Sequence, residues 1–161
     1  MTWTYCEHWN RVLNKPLSPF GESEARRRHE SGDLYTAVDA RPDGTRILIE
    51  VRLETGYSAT RFVDGRGRDE LAYVFMRKGD KLFLQDIISY TYGDEQGARG
   101  LAPLVVESCA YTSEGIVRHE IDDLRVETIA VTDYDSVDVT SHWEPIPEFG
   151  SYESISRYER D

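Results

Sequence analysis

Few residues in this chain could do chemistry, and their spacing is poor for it. Cys6 and His8 form a Cys-x-His pair to which Cys109, His119 and His142 could add zinc ligands. Structural zinc sites use tight Cys-x-x-Cys or His-x(3–5)-His knuckles that fix two ligands on one turn, and this chain has none. No metal and no other cofactor is expected. Cys109 and His119 are also the only thiol and base that could work together. Alternation along VVESCAY places Glu107 on the face of Cys109, and a neighbouring carboxylate raises a thiol pKa, the reverse of activation. The sequence therefore predicts an inert, buried cysteine.

The run Asp133-Tyr-Asp-Ser-Val-Asp138 looks like a cation loop until its fifth and sixth positions are read. Calcium loops need an oxygen ligand and then glycine there, and Val137 and Asp138 supply neither. Acid-base chemistry among Asp122, Asp123, Asp133 and Asp135 would require convergence in one pocket, which spacing does not provide. Gly65-Arg-Gly67 and the glycines of residues 93–100 lack the following helix that would cradle a phosphate. No catalytic residue is expected.

The elements that must position these groups follow from periodicity. Tyr5, Trp9, Val12 and Leu13 have helical spacing, so residues 3–15 read as a helix ended by Pro16, with a short strand at 3–6 as the alternative. Residues 17–21, which follow Pro16 and contain Pro19, read as a loop. Residues 22–30 predict a solvated helix closed by Gly32, its Arg26-Arg27-Arg28 run neutralised by Glu22, Glu24, Glu30 and Asp33. From Leu34 the period becomes two. TRILIEVRLE (45–54) places Ile47, Ile49, Val51 and Leu53 on one face and a wet face opposite. Glycine turns at 42–44, 64–67, 78–80 and 113–115 then separate strands over 34–40, 45–54, 57–63, 70–77, 81–92, 104–112 and 116–122. A further strand is expected over 124–132, with residues 137–143 closing the sheet and a loop at 93–103. Residues 144–150 carry prolines that bar a central strand, and 151–160 could add a helical turn or two.

The expected fold is α+β but mainly β. It is one antiparallel meander, open or curled toward a barrel, behind a helical cap over 1–33 and before a tail over 144–161, all in one domain. At 161 residues the chain is long enough for one such core. No apolar run approaches the ~18 residues of a membrane span. The first residues lack a basic start and a long apolar run, and two cysteines suit a reducing compartment, so a cytoplasmic protein is expected.

Charge is lopsided. The chain has 19 Lys and Arg against 30 Asp and Glu, a net charge of −11. Residues 1–68 are nearly balanced, whereas residues 69–161 carry 8 basic and 20 acidic side chains. That field disfavours nucleic acid and anionic lipid and steers a basic protein surface inward. Tyr134, Phe149 and Tyr152 lie among these acids near turns and prolines, where aromatic rings serve as contact anchors.

With its size, its charge asymmetry and the glycine-turn hairpin Phe62-Val-Asp-Gly-Arg-Gly-Arg-Asp-Glu-Leu-Ala-Tyr73, the chain resembles the small acidic β-rich immunity proteins encoded beside polymorphic bacterial toxins. The resemblance implies a non-catalytic inhibitor that occludes a basic toxin. Partner contacts are expected at Asp122, Asp123, Asp133, Tyr134, Asp135, Asp138, Glu148, Phe149 and Tyr152. The alternative is a curled sheet forming a cup for a small molecule, as a carrier or a cyclase- or isomerase-like enzyme. Tyr73, Tyr90, Tyr92 and His119 would line that pocket.

Overall fold

Alternation in residues 46–78 becomes the middle of one antiparallel sheet in the computed structural model, which describes residues 2–93 and 102–160. Strands β3 (Tyr35–Ala40), β4 (Arg46–Arg52), β5 (Tyr57–Val63), β6 (Asp69–Lys78) and β7 (Lys81–Thr91) follow one another as a meander. The meander continues through β8 (Val105–Tyr111), β9 (Val117–Asp123) and β10 (Thr128–Tyr134), the sheet's outer edge. The sheet stays open and does not close into a barrel. Three turns share one device: Gly44, Gly67 and Gly115 all have φ between 81° and 88°, each amide donating to a carbonyl three residues back. Only glycine takes that conformation without steric cost, which is why these breaks were readable.

The amino-terminal segment differs from the helical expectation. Residues 4–20 form a hairpin, β1 (Thr4–Asn10) and β2 (Lys15–Phe20), with β1 pairing β3 and β2 lying at the opposite edge from β10. The i, i+4 apolar spacing also fits a strand, and pairing with β3 decides between them. The expected loop at 17–21 is largely β2, where Pro16 and Pro19 are tolerated because an edge strand leaves one side of its backbone unpaired. The one α-helix among the described residues, α1 (Glu22–Ser31), ends at Gly32 (φ 82°), as its composition predicts. Its arginines are paired within the surface: Arg26 with Glu22 at 3.2 Å, Arg27 with Glu24 at 2.8 Å and Arg28 with Glu24 at 3.0 Å.

Two further corrections concern the end of the meander. The strand expected over 124–132 begins only at Thr128, because residues 124–127 form the β9–β10 turn. Residues 137–143 hold a 3-10 turn at Thr140–His142, not a closing strand, and then β11 (Trp143–Pro145). β11 pairs the start of β7, Lys81–Phe83, while β8 pairs its later part, Asp86–Thr91. Residues 151–160 provide a single hydrogen-bonded turn, Ile155 and Ser156 amides donating to the Tyr152 carbonyl. The loop expected at 93–103 lies mostly outside the described residues.

The core sits on one sheet face. Ile47, Ile49, Val51, Phe62, Tyr73, Phe75, Leu82 and Leu84 are covered there by α1 and by the tail, whose Tyr152 and Ile155 are fully buried. A smaller cluster of Cys6, Val38, Leu48, Val63 and Trp9 lies on the other face, so the face predicted to be wet is partly dry at Leu48. No helix among the described residues is long and apolar enough to cross a membrane.

Candidate functional site

Beyond β7 the sheet loses its cover. Neither apolar cluster draws a residue from β8, β9 or β10, and every residue of β10 is exposed. These three strands form a wing with little cover on either face among the described residues. Register places Val106, Asp122 and Ile129 in one row, Ser108, Glu120 and Val131 in the next, on one face. Glu107, Ile121 and Ala130, then Cys109, His119 and Thr132, occupy the opposite face. The β8–β9 turn ties the wing to the returning chain. Gly115 (φ 87°) accepts the Val137 amide at its carbonyl, and a Cβ added there would lie 2.5 Å from the Val137 oxygen. Tyr111 packs on the buried His142 ring at 4.3 Å, and that ring's Nδ1 is 2.9 Å from the Leu84 carbonyl oxygen.

The wing and its return, residues 105–138, carry nine carboxylates and two arginines. Arg118 holds Asp133 at 3.0 Å and Arg125 holds Asp123 in a two-point contact at 2.8 and 2.9 Å, and each arginine depresses its partner's pKa through those hydrogen bonds. Asp138 accepts from the Thr140 hydroxyl and amide, which lowers its pKa as well. Glu120, Asp122, Glu127 and Asp135 form no ion pair among the described residues, so the surplus negative charge stays on the surface. Tyr134 is 49% exposed at the end of β10. Asp122, Asp123, Asp133 and Tyr134 lie on the wing but not on one surface: Asp122 and Asp133 share the face of Ile129 and Val131, Asp123 and Tyr134 take the opposite one, and Asp135 and Asp138 follow in the return.

The tail residues are not part of it. Tyr152 is fully buried, its hydroxyl 3.0 Å from that of Tyr35 and its ring edge-on to Trp3 at 5.1 Å. It is a core residue and cannot anchor a partner. Phe149 is half-buried, stacked on Tyr5 at 5.4 Å beneath the Arg26 guanidinium at 4.5 Å. Those contacts are with β1 and α1, at the other end of the sheet from the wing, and Glu148 is exposed beside them. Proximity to prolines suggested surface rings, but a bare sheet face captured them.

The four alternative pocket residues also separate. Tyr73 lies in the core beneath Arg160. Tyr90 is on the opposite face of β7, and His119 is on the wing, 2.8 Å from Glu107. Tyr90 and Tyr92 do line a cleft of about 290 Å³ with Arg11, Val12, Gly67, Arg68, Asp69 and Pro103. There the β1–β2 hairpin tip meets the β5–β6 turn, and a charge network missed in the sequence runs through it. Arg11 pairs Asp69 at 2.8 Å, Arg61 lies 3.5 Å from Asp69 and 3.4 Å from Glu50, and Tyr57 donates to Glu50 at 3.1 Å. Burial raises the Asp69 pKa against the pull of Arg11 and Arg61, and burial beside Glu50 pushes the Tyr57 phenol up to about 12. Its signal in the sequence was Glu50 and Arg61 within buried strands, where ionised side chains need partners. These charges are committed to one another and clamp the hairpin onto the sheet.

The five possible zinc ligands are dispersed. Cys6 is buried in the small cluster, His8 is exposed, and His142 is bound at Leu84. Cys109 and His119 are direct cross-strand neighbours, yet His119 faces Glu107, and burial raises the Cys109 pKa. Among the described residues no three His, Cys, Asp or Glu side chains gather as metal ligands would. No family model, curated protein or solved structure matches this chain.

Proposed function

We propose that this protein is a non-catalytic protein-binding module, an acidic inhibitor of the immunity type that lays its wing against a basic partner. One observation carries the reading: a three-stranded extension whose outer strand is exposed throughout bears, with its return, nine carboxylates against two arginines. Uncovered apolar side chains rimmed by charge are the composition of a contact surface, and the carboxylates speed encounter with a positive one. Asp122, Asp123, Asp133, Tyr134, Asp135 and Asp138 make the contact.

The test is capture from lysate of the source cells at low and high salt, with wild type and with Asp133→Lys/Asp135→Lys. A basic protein retained by wild type at low salt and released by salt or by the charge reversal supports the reading. Glu30→Lys on α1, remote from the wing, serves as the control for net charge. Equal capture by all three proteins would refute the assignment of this surface. The cup-shaped carrier has less behind it, since the sheet is open and its core face is filled.

A further inference from the structure

We infer that the free edge of β10 pairs with the same edge of a second copy, joining two sheets into one across a two-fold axis. The argument begins with the contrast between the sheet's two edges. β2 carries Pro16 and Pro19 and a left-handed Ser18 (φ 49°), devices that stop another strand from adding. β10 has no proline and pairs β9 through seven residues without a bulge. Its outer backbone groups have no partner strand among the described residues, and Ile129, Val131 and Tyr134 are 60%, 49% and 49% exposed. A straight, unprotected, apolar edge is the surface that sheets normally avoid leaving bare.

The side chains favour a copy of this chain as the occupant. A two-fold axis normal to the sheet keeps each face on its own side, so opposed residues must share a face and the axis must pass beside one residue. Centred at Ala130, the pairing sets Ile129 against Val131 of the other copy, and Val131 against Ile129, giving four apolar side chains on one face. Thr128 opposes Thr132 and Ala130 opposes Ala130 on the other. Shifting the axis to residue 129 sets Val131 against Glu127, and shifting it to 131 sets Ile129 against Asp133. Moving it to 132 sets Val131 against Asp133. Only the Ala130 register keeps both apolar residues clear of carboxylates. In it Asp133 and Glu127 meet beyond the last pair, where Arg118 already holds Asp133. Edge pairing covers neither face of the wing, so this contact is separate from the one proposed for a basic partner.

Sedimentation equilibrium of the full chain tests the pairing, with Val131→Lys as the disrupting variant and its thermal midpoint as the check on folding. Reversible dimerisation in wild type, weakened about tenfold or more by Val131→Lys, is expected. Two copies of like charge should associate more tightly as salt rises, opposite to capture of a basic partner, so the two proposals fail independently. Ala130→Cys should give a disulfide-linked dimer on mild oxidation, because directly opposed Cβ atoms come within reach of a disulfide, whereas Thr132→Cys should not. A wild type that is monomeric at every concentration overturns the inference. So does a dimer indifferent to Val131→Lys, or cross-linking at residue 132 in place of 130.

Discussion

The half of the sheet from β3 to β7 and the wing from β8 to β10 are built from the same alternating strands and the same glycine turns, yet they differ in what lies on them. On the first, α1 and the tail cover one face, and Tyr35, Phe75, Leu82 and Tyr152 are at or near zero exposure. On the second, cover among the described residues is confined to the end where Tyr111 meets His142, and only Val117 among its strand residues is buried. Strand pairing does most to hold the wing in shape, whereas burial of apolar surface holds the first half. Stability should therefore concentrate in one half and recognition in the other.

Substitutions make that contrast measurable. The largest loss is expected from Tyr152→Ala, which leaves a ring-sized void and removes one of the Tyr35 hydroxyl's two partners; chemical denaturation should show a loss of about 3–5 kcal/mol. Gly115→Ala comes next. A positive φ and a Cβ too near the Val137 oxygen should cost about 1–3 kcal/mol. Hydrogen exchange should report that cost as faster opening of β8 and β9, with β4 and β5 unaffected; uniform acceleration would deny the division between halves. Ile129→Ala, on the bare wing, should change monomer stability by less than about 0.5 kcal/mol, although Ile129 is as apolar as Ile49.

The boundary near α1 has a pH dependence of its own. His29 Nδ1 lies 2.9 Å from the Tyr35 hydroxyl, and burial lowers the His29 pKa, as does Arg26, while Glu30 opposes them. Because the folded state resists a proton that the unfolded chain accepts near pH 6.5, stability should be full above that value and fall as pH drops below it. Comparing thermal midpoints of wild type and His29→Gln across that range checks the sign: their difference should vary with pH there and become constant above it.

The packed half was legible in the sequence, and the hairpin before it and the placement of the tail were not. Ile47, Ile49, Val51 and Leu53 recur at every second position, broken on the other face only by Leu48, and positive-φ glycines sit between strands, so β3 to β9 could be placed to within a residue or two. The hairpin at residues 4–20 was not legible, because four apolar residues at 5, 9, 12 and 13 satisfy two periods and only a partner strand distinguishes them. Tyr152 was misplaced for a different reason. Its local surroundings are polar, and its burial depends on Tyr35, 117 residues earlier. The network of Arg11, Glu50, Arg61 and Asp69 joins the hairpin tip to β4, β5 and β6, and no spacing rule reaches across such distances. The acidic excess could be counted, but that Phe149 faces away from it could not.

The covering of the core by residues 143–156 carries a consequence for biosynthesis. During translation the sheet face formed by Tyr35, Thr60 and Phe75 emerges long before the segment that closes over it, including Ile155, whose carbonyl accepts the Thr60 hydroxyl across 95 residues. A nascent chain stalled before residue 143 would expose a greasy surface, and a chaperone that shields such surfaces would find its binding site there until synthesis carries residues 143–156 clear of the ribosome.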